Sequence, residues 1–309
     1  MRYERGRTVL GGFAAVVFLG GPQIAAADGW RFPAGWGPSA AESGVNLPAP
    51  IAEGCPIETP DGLSLIIASN RRGLSGNDIW AADRSSIDAP FAEPRRIEGP
   101  ISLDTSAEFC PFPTAGRVLF FVSTRTGACG GSGGDIYYAR QSPVGDWSDP
   151  VNLGCAPNGP NTDDTEYSPS LVETWYGTFL FFSTAASTGD QNIYVSVLGS
   201  DGTFGPGRIV ASLSSPAADF MPNVRPRDHG GFEVVFNSNR ETWGRNNSPA
   251  FGGQDVYTAT AWWLPDAWTT PTNVGSNVNT AGNETRATLS GDGKRLHFGR
   301  DGDIYVSGR

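Results

Sequence analysis

The stretch Leu65–Trp80, LIIASNRRGLSGNDIW, limits what this chain can fold into more than any other feature. It reads as a short apolar strand ending in Ser-x-Arg, a Gly-rich turn, and an Asp-Ile-aromatic start to a second strand. Versions of it recur at Leu119–Tyr137, Leu180–Tyr194, Val234–Tyr257 and Leu296–Tyr305. The Asp-Ile-Tyr position falls at Asp78, Asp135, Asn192, Asp255 and Asp303, at intervals of 57, 57, 63 and 48 residues. A period near 50 residues made of short strands and turns is the signature of a propeller blade.

Each repeat carries two further elements. An acid precedes each hairpin, with Pro three positions on in four copies: Glu53–Pro56, Glu108–Pro111, Glu166–Pro169 and Asp219–Pro222. The fifth copy, Glu284-Thr-Arg-Ala, keeps the acid and lacks the Pro. After the hairpin comes an aromatic-and-Pro segment: Trp147–Pro150, Phe204–Pro206 and Trp268–Pro271, with Pro94-Arg-Arg-Ile as the degenerate first copy. Pro suits an outermost strand, whose amides need no partner. One repeat is thus four strands. The fifth repeat stops at Arg309 without an outer strand, while an orphan copy, Trp36-Gly-Pro-Ser-Ala-Ala-Glu, lies ahead of Glu53. The expected fold is all-β: a five-bladed β-propeller of four-stranded blades, closed by an N-terminal strand that completes the last blade.

The first residues read as a targeting segment. Arg2, Arg5 and Arg7 precede an apolar run, Val9–Leu19, and Ala25-Ala26-Ala27 offers a small-residue cleavage site before Asp28. Residues 1–27 are therefore expected to be a signal peptide, 28–50 a segment containing the closing strand, and 51–309 the five repeats. The expected location is periplasmic or secreted. Of three connectivities for the four cysteines, the equivalent repeat positions of Cys55 and Cys110 favour that pair, leaving Cys129 with Cys155. A net charge of −10 disfavours nucleic acid and anionic membranes as partners. A monomer without membrane insertion is expected.

Ser-x-Arg and Asp-Ile-Tyr suggest an internal ion pair, Arg71, Arg125, Arg240 and Arg300 facing Asp78, Asp135, Asp255 and Asp303. In the third repeat Arg is replaced by Ala185 or Ala186 and Asp by Asn192, so both charges vanish together. These motifs, with Asp61-Gly62 and Asp292-Gly293 turns, resemble the WD40-like PD40 repeats of the TolB propeller family over about residues 51–309. The resemblance implies the propeller fold and says little about activity.

Functional candidates follow from the geometry of such a ring. Glu53, Glu108, Glu166, Asp219 and Glu284 open the innermost strands and should rim one mouth of the central channel. Asp163 and Asp164, in the Gly154–Thr165 connection, and Trp243, in the expanded loop Glu241–Gln254, are expected at the same mouth. One expectation is a non-enzymatic module binding a protein, peptide or glycan there. The alternative is an extracellular carbohydrate-active hydrolase or lyase using two channel carboxylates. No cofactor is expected. The segment Asn161–Glu166 has oxygens suited to calcium but lacks EF-hand spacing. With His229 and His297 as the only histidines, zinc is disfavoured. Trp262-Trp263 is expected to cover a blade's outer surface.

Overall fold

The computed structural model describes residues 35–309, except 73–75, 128, 131–132, 186–189 and 244–247 and the side chains of Trp243 and Ser248. The expected signal peptide lies outside the described residues. Strand β1 is Ala40–Ala41. Blade one is β2 (Glu53–Glu58), β3 (Ser64–Ser69), β4 (Asp78–Asp83) and β5 (Arg95–Arg96). Blade two is β6 (Glu108–Pro113), β7 (Val118–Ser123), β8 (Asp135–Arg140) and β9 (Val151–Asn152). Blade three is β10 (Tyr167–Thr174), β11 (Gly177–Thr184), β12 (Asn192–Val197) and β13 (Arg208–Ile209). Blade four holds β14 (Asp219–Pro226) and β15 (Phe232–Ser238). A two-stranded insert follows, β16 (Thr242–Trp243) with β17 (Ser248–Pro249), and then β18 (Asp255–Ala261) and β19 (Thr272–Asn273). Blade five is β20 (Glu284–Leu289), β21 (Arg295–Arg300) and β22 (Asp303–Gly308), with β1 as its outer strand.

The ring closes as the orphan N-terminal copy requires. Ala40 faces Val306 and Ala41 faces Tyr305 in antiparallel register, and the Gly37 amide donates to the Gly308 carbonyl at 2.7 Å. Trp36 is buried in the interface of blades four and five, with the Arg309 guanidinium 4.4 Å from its ring centre. The outer strands differ in one respect from expectation. The Trp147 and Trp268 segments make only isolated bridges, and the ladder strands are the two residues just after Pro150 and Pro271. Proline removes a donor, so pairing starts only beyond it.

Blades pack face to face, which explains why the middle strands are continuously apolar and not alternating. Ile57, Ile79, Leu119 and Phe121 fill the space between blades one and two; Val172, Phe181, Val234 and Phe236 fill that between three and four. Every inner strand is bulged two residues after its acid. Cys55, Cys110, Ser168, Met221 and Arg286 all have φ between 45° and 57°, each beside a shift of register. The bulges bring side chains of different blades together. The Ser168 hydroxyl donates to Cys110 Sγ at 3.4 Å, and Arg286 Nη2 donates to the Pro111 carbonyl at 3.2 Å. Of the two expected disulfides, Cys129–Cys155 is formed. Cys55 and Cys110 do meet, with sulfurs 2.7 Å apart, but as thiols and not as the expected disulfide.

Candidate functional site

Four of the five acids begin inner strands, Glu166 immediately precedes β10, and all five are buried. A carboxylate out of water is costly unless charge or hydrogen bonds compensate it. Four of them have that compensation from their own blade. Arg71 Nη2 donates to Glu53 Oε1 at 2.9 Å, Arg125 Nη2 to Glu108 Oε1 at 3.4 Å, and Arg300 Nε to Glu284 Oε1 at 2.8 Å; Arg240 pairs with Asp219. The expected pairing of these arginines with Asp78, Asp135, Asp255 and Asp303 is thus incorrect. Asp78 binds Arg96, Asp135 accepts from Asn152 and the Cys129 amide, and Asp255 accepts from Asn273 and the Phe251 amide.

The geometry gives the repeat its physical meaning. In Ser-x-Arg the serine hydroxyl accepts from the arginine's Nε, at 3.2 Å for Ser69, 2.9 Å for Ser123 and 3.0 Å for Ser238. The guanidinium then lies over the aromatic ring of Asp-Ile-aromatic: 5.0 Å from Trp80, 5.2 Å from Tyr137, 5.1 Å from Tyr257 and 4.6 Å from Tyr305. Its remaining protons reach carbonyls of the preceding connection, Val45, Ile101, Leu213 and Val278. Acid, arginine and ring, joined by the serine in blades one, two and four and without it in blade five, where Gly299 precedes Arg300, form a clamp that ties each of these four blades to the connection before it.

Blade three lacks the clamp. Thr184 stands at the serine position opposite Glu166, Ala186 replaces the arginine, and Asn192 begins the third strand. Glu166 Oε1 accepts from the Thr162 amide at 3.1 Å and the Thr162 hydroxyl at 2.6 Å, while its buried Oε2 has no hydrogen-bond partner among the described residues. Burial pushes this carboxyl up to about 8; hydrogen bonds from Thr162 oppose the rise, and the Asp135 charge adds to it.

The surroundings of Glu166 are fixed by blade two. The Glu166 amide donates to the Gly134 carbonyl at 2.9 Å, and the Cys129–Cys155 disulfide joins the β7–β8 loop to the connection that leads into Glu166. Asn161, fully buried, brackets the Ile136 peptide with both ends of its amide. Asp163 and Asp164 lie exposed in this connection, two to three residues from Glu166. The Asn161–Glu166 segment is therefore occupied in holding the blades, and among the described residues no three His, Cys, Asp or Glu side chains group as metal ligands. Trp243 falls in β16, whose partner is β17 (Trp243 facing Ser248); its side chain lies outside the described residues. Two clefts of about 510 and 570 Å³ lie between blades two and three and blades one and two, on the face away from the acids; no ring acid lines either.

These features define the chain as a five-bladed propeller with one unclamped blade. No family model and no curated protein matches it. Among solved structures it is similar to an α-L-arabinofuranosidase from Podospora anserina in complex with cellotriose: 13% identity, 89% of this chain and 96% of that one, TM-score 0.55. The family 62 α-L-arabinofuranosidase catalytic domain from Coprinopsis cinerea gives 11%, 89%, 96% and 0.57. The endo-arabinase from Bacteroides thetaiotaomicron gives 15%, 83%, 93% and 0.52. At such identities the likeness establishes the fold.

Proposed function

We propose that this protein is an extracellular carbohydrate-active propeller, a glycoside hydrolase whose proton donor is Glu166. The observation that carries the reading is the unclamped carboxyl itself. Cleavage of a glycosidic bond needs an acid that is still protonated at neutral pH, and a pKa of about 8 meets that need. The other four ring acids are each paired with an arginine, and Glu166 is not. Asp163 and Asp164, exposed in the same segment, are the carboxylates available for the base or nucleophile role. Glu166 is fully buried, so substrate reaches Oε2 only when the carboxyl becomes uncovered. The arabinofuranosidase and arabinase neighbours support a glycan as the ligand class, and the disulfide supports an oxidising compartment.

A second reading, a glycan-binding module without hydrolysis, is favoured by the four clamped acids: a ring neutralised by its own arginines suits a scaffold. One experiment separates the two. The mature chain and Glu166→Gln are incubated with arabinan, arabinoxylan and β-glucan, and both reducing-end release and binding are measured. Hydrolysis by the wild type that drops at least 100-fold in Glu166→Gln, with binding retained, supports the proton donor. Binding without product from either protein supports the module.

A further inference from the structure

The face opposite the acids carries three large exposed apolar side chains that the account above does not use. Trp175, in the β10–β11 turn, is 87% exposed; Trp262 and Trp263, just after β18, are 54% and 58% exposed. Trp262-Trp263 thus does not cover a blade, contrary to expectation. Solvated indoles in a cluster are unusual on a monomer's surface and mark a contact site.

The cluster is held in place. Trp175 and Trp263 meet edge to face at 6.5 Å, and the half-buried Tyr176 joins both, at 5.4 Å and 5.5 Å. The Tyr176 hydroxyl accepts from the Leu264 amide at 3.0 Å, tying blade three's turn to blade four's connection. Trp262 rests against the Gly230-Gly231 turn, where a Cβ on Gly230 would come within 3.1 Å of its ring; Gly231 has φ 74° and a Cβ there would come within 2.5 Å of the Ala261 carbonyl. That turn demands glycine, and glycine leaves room for the indole. Little side-chain entropy remains to be lost when something docks.

The same hairpin that lifts Trp175 also lines the cleft of about 510 Å³ between blades two and three, through Glu173 and Thr178. Aromatic faces therefore sit on one side of the hairpin and a cleft of ligand size on the other. The exposed charges in the neighbouring turns, Glu173, Asp228 and Asp266, are all acidic, with the half-buried Arg227 beside Asp228. They repel anionic lipid and nucleic acid and accept hydrogen bonds from hydroxyls. A sugar ring offers the complement: polarised C–H groups on its face for the electron-rich indole, and hydroxyls at its edge for carboxylates.

We propose that Trp175, Trp262 and Trp263 form a second glycan-binding surface that holds a neutral polysaccharide chain on the face away from Glu166. The choice of ligand class rests on the carbohydrate reading above; the existence of the surface does not. The test is affinity electrophoresis of the mature chain through gels containing arabinoxylan, debranched arabinan or hydroxyethylcellulose. The variant is Trp175→Ala/Trp263→Ala, with circular dichroism confirming that it is folded. The expected result is retardation of the wild type in at least one gel, weakened at least tenfold in the double tryptophan variant. Full retardation of the tryptophan variant, or none of the wild type in all three gels, overturns the proposal. Product release by the wild type is scored separately, so failure here leaves the test of Glu166 independent.

Discussion

Glu166→Gln should change how stability depends on pH, and the sign follows from the direction in which the carboxyl is displaced. Folding raises it from an ordinary 4.5 to about 8. Below pH 4.5 both folded and unfolded chains hold the proton, and the group does not disfavour folding. As pH rises the unfolded chain ionises first, so stability falls until the folded carboxyl ionises near pH 8, and then levels off. A displacement of this size sets a ceiling of about 5 kcal/mol on the loss. Water entry and rearrangement around the charge bring the expected loss to about 2–4 kcal/mol. Glutamine keeps the shape and cannot ionise. Urea unfolding of both proteins at pH 5, 7 and 9, with the disulfide intact, should therefore show the wild type losing that amount relative to the variant. Other titrating groups are common to both and cancel in the difference. Parallel profiles across the range would refute the idea that Glu166 is buried without a counter-charge.

Further predictions concern the scaffold. Arg125→Ala should destabilise by about 3–5 kcal/mol because Glu108 is left buried and unpaired; in urea-melt cycles Arg125 should couple to Glu108, and Arg125 with Asp135 should be additive. Trp36→Ala should cost about 3–5 kcal/mol by emptying a buried ring from the closing interface, read as a lower melting temperature; an unchanged value would mean the N-terminal segment does not close the ring. Burial raises the Cys110 thiol, but the hydrogen bond with Cys55, the Arg286 charge and Ser168 outweigh it and bring the thiol to about 6. With the sulfurs already in contact, oxidised glutathione should link Cys55 to Cys110, and peptide mass mapping that finds both free would contradict this.

Much of the fold was legible because repetition reports on topology. The five acids, the five hairpins and the orphan Trp36 copy specify strand count, blade count and closure before any contact is known. Side-chain partnership was less legible. Arg125 lies between two acids in the chain, Glu108 upstream and Asp135 downstream, and spacing alone does not say which one it turns towards. The register shift after Phe109 and the bonds that Ser123 makes to both Arg125 and Glu108 decide it, and neither is visible without the sheet. The cue for Glu166 was nevertheless present: the third repeat loses its arginine while keeping its acid. Pairing that arginine with the inner-strand acid singles out Glu166 at once. Trp262-Trp263 reads as cover for a blade's outer surface because it follows an apolar strand, but both indoles are exposed, with Trp262 against the turn at Gly230 and Gly231.

The central claim is that Glu166 holds its proton at neutral pH. Carboxyl-carbon NMR of the protein labelled at glutamate, with Glu166→Gln to assign the signal, measures this directly. The expected result is a Glu166 carboxyl titrating near pH 8; a midpoint near 4.5 would contradict the account.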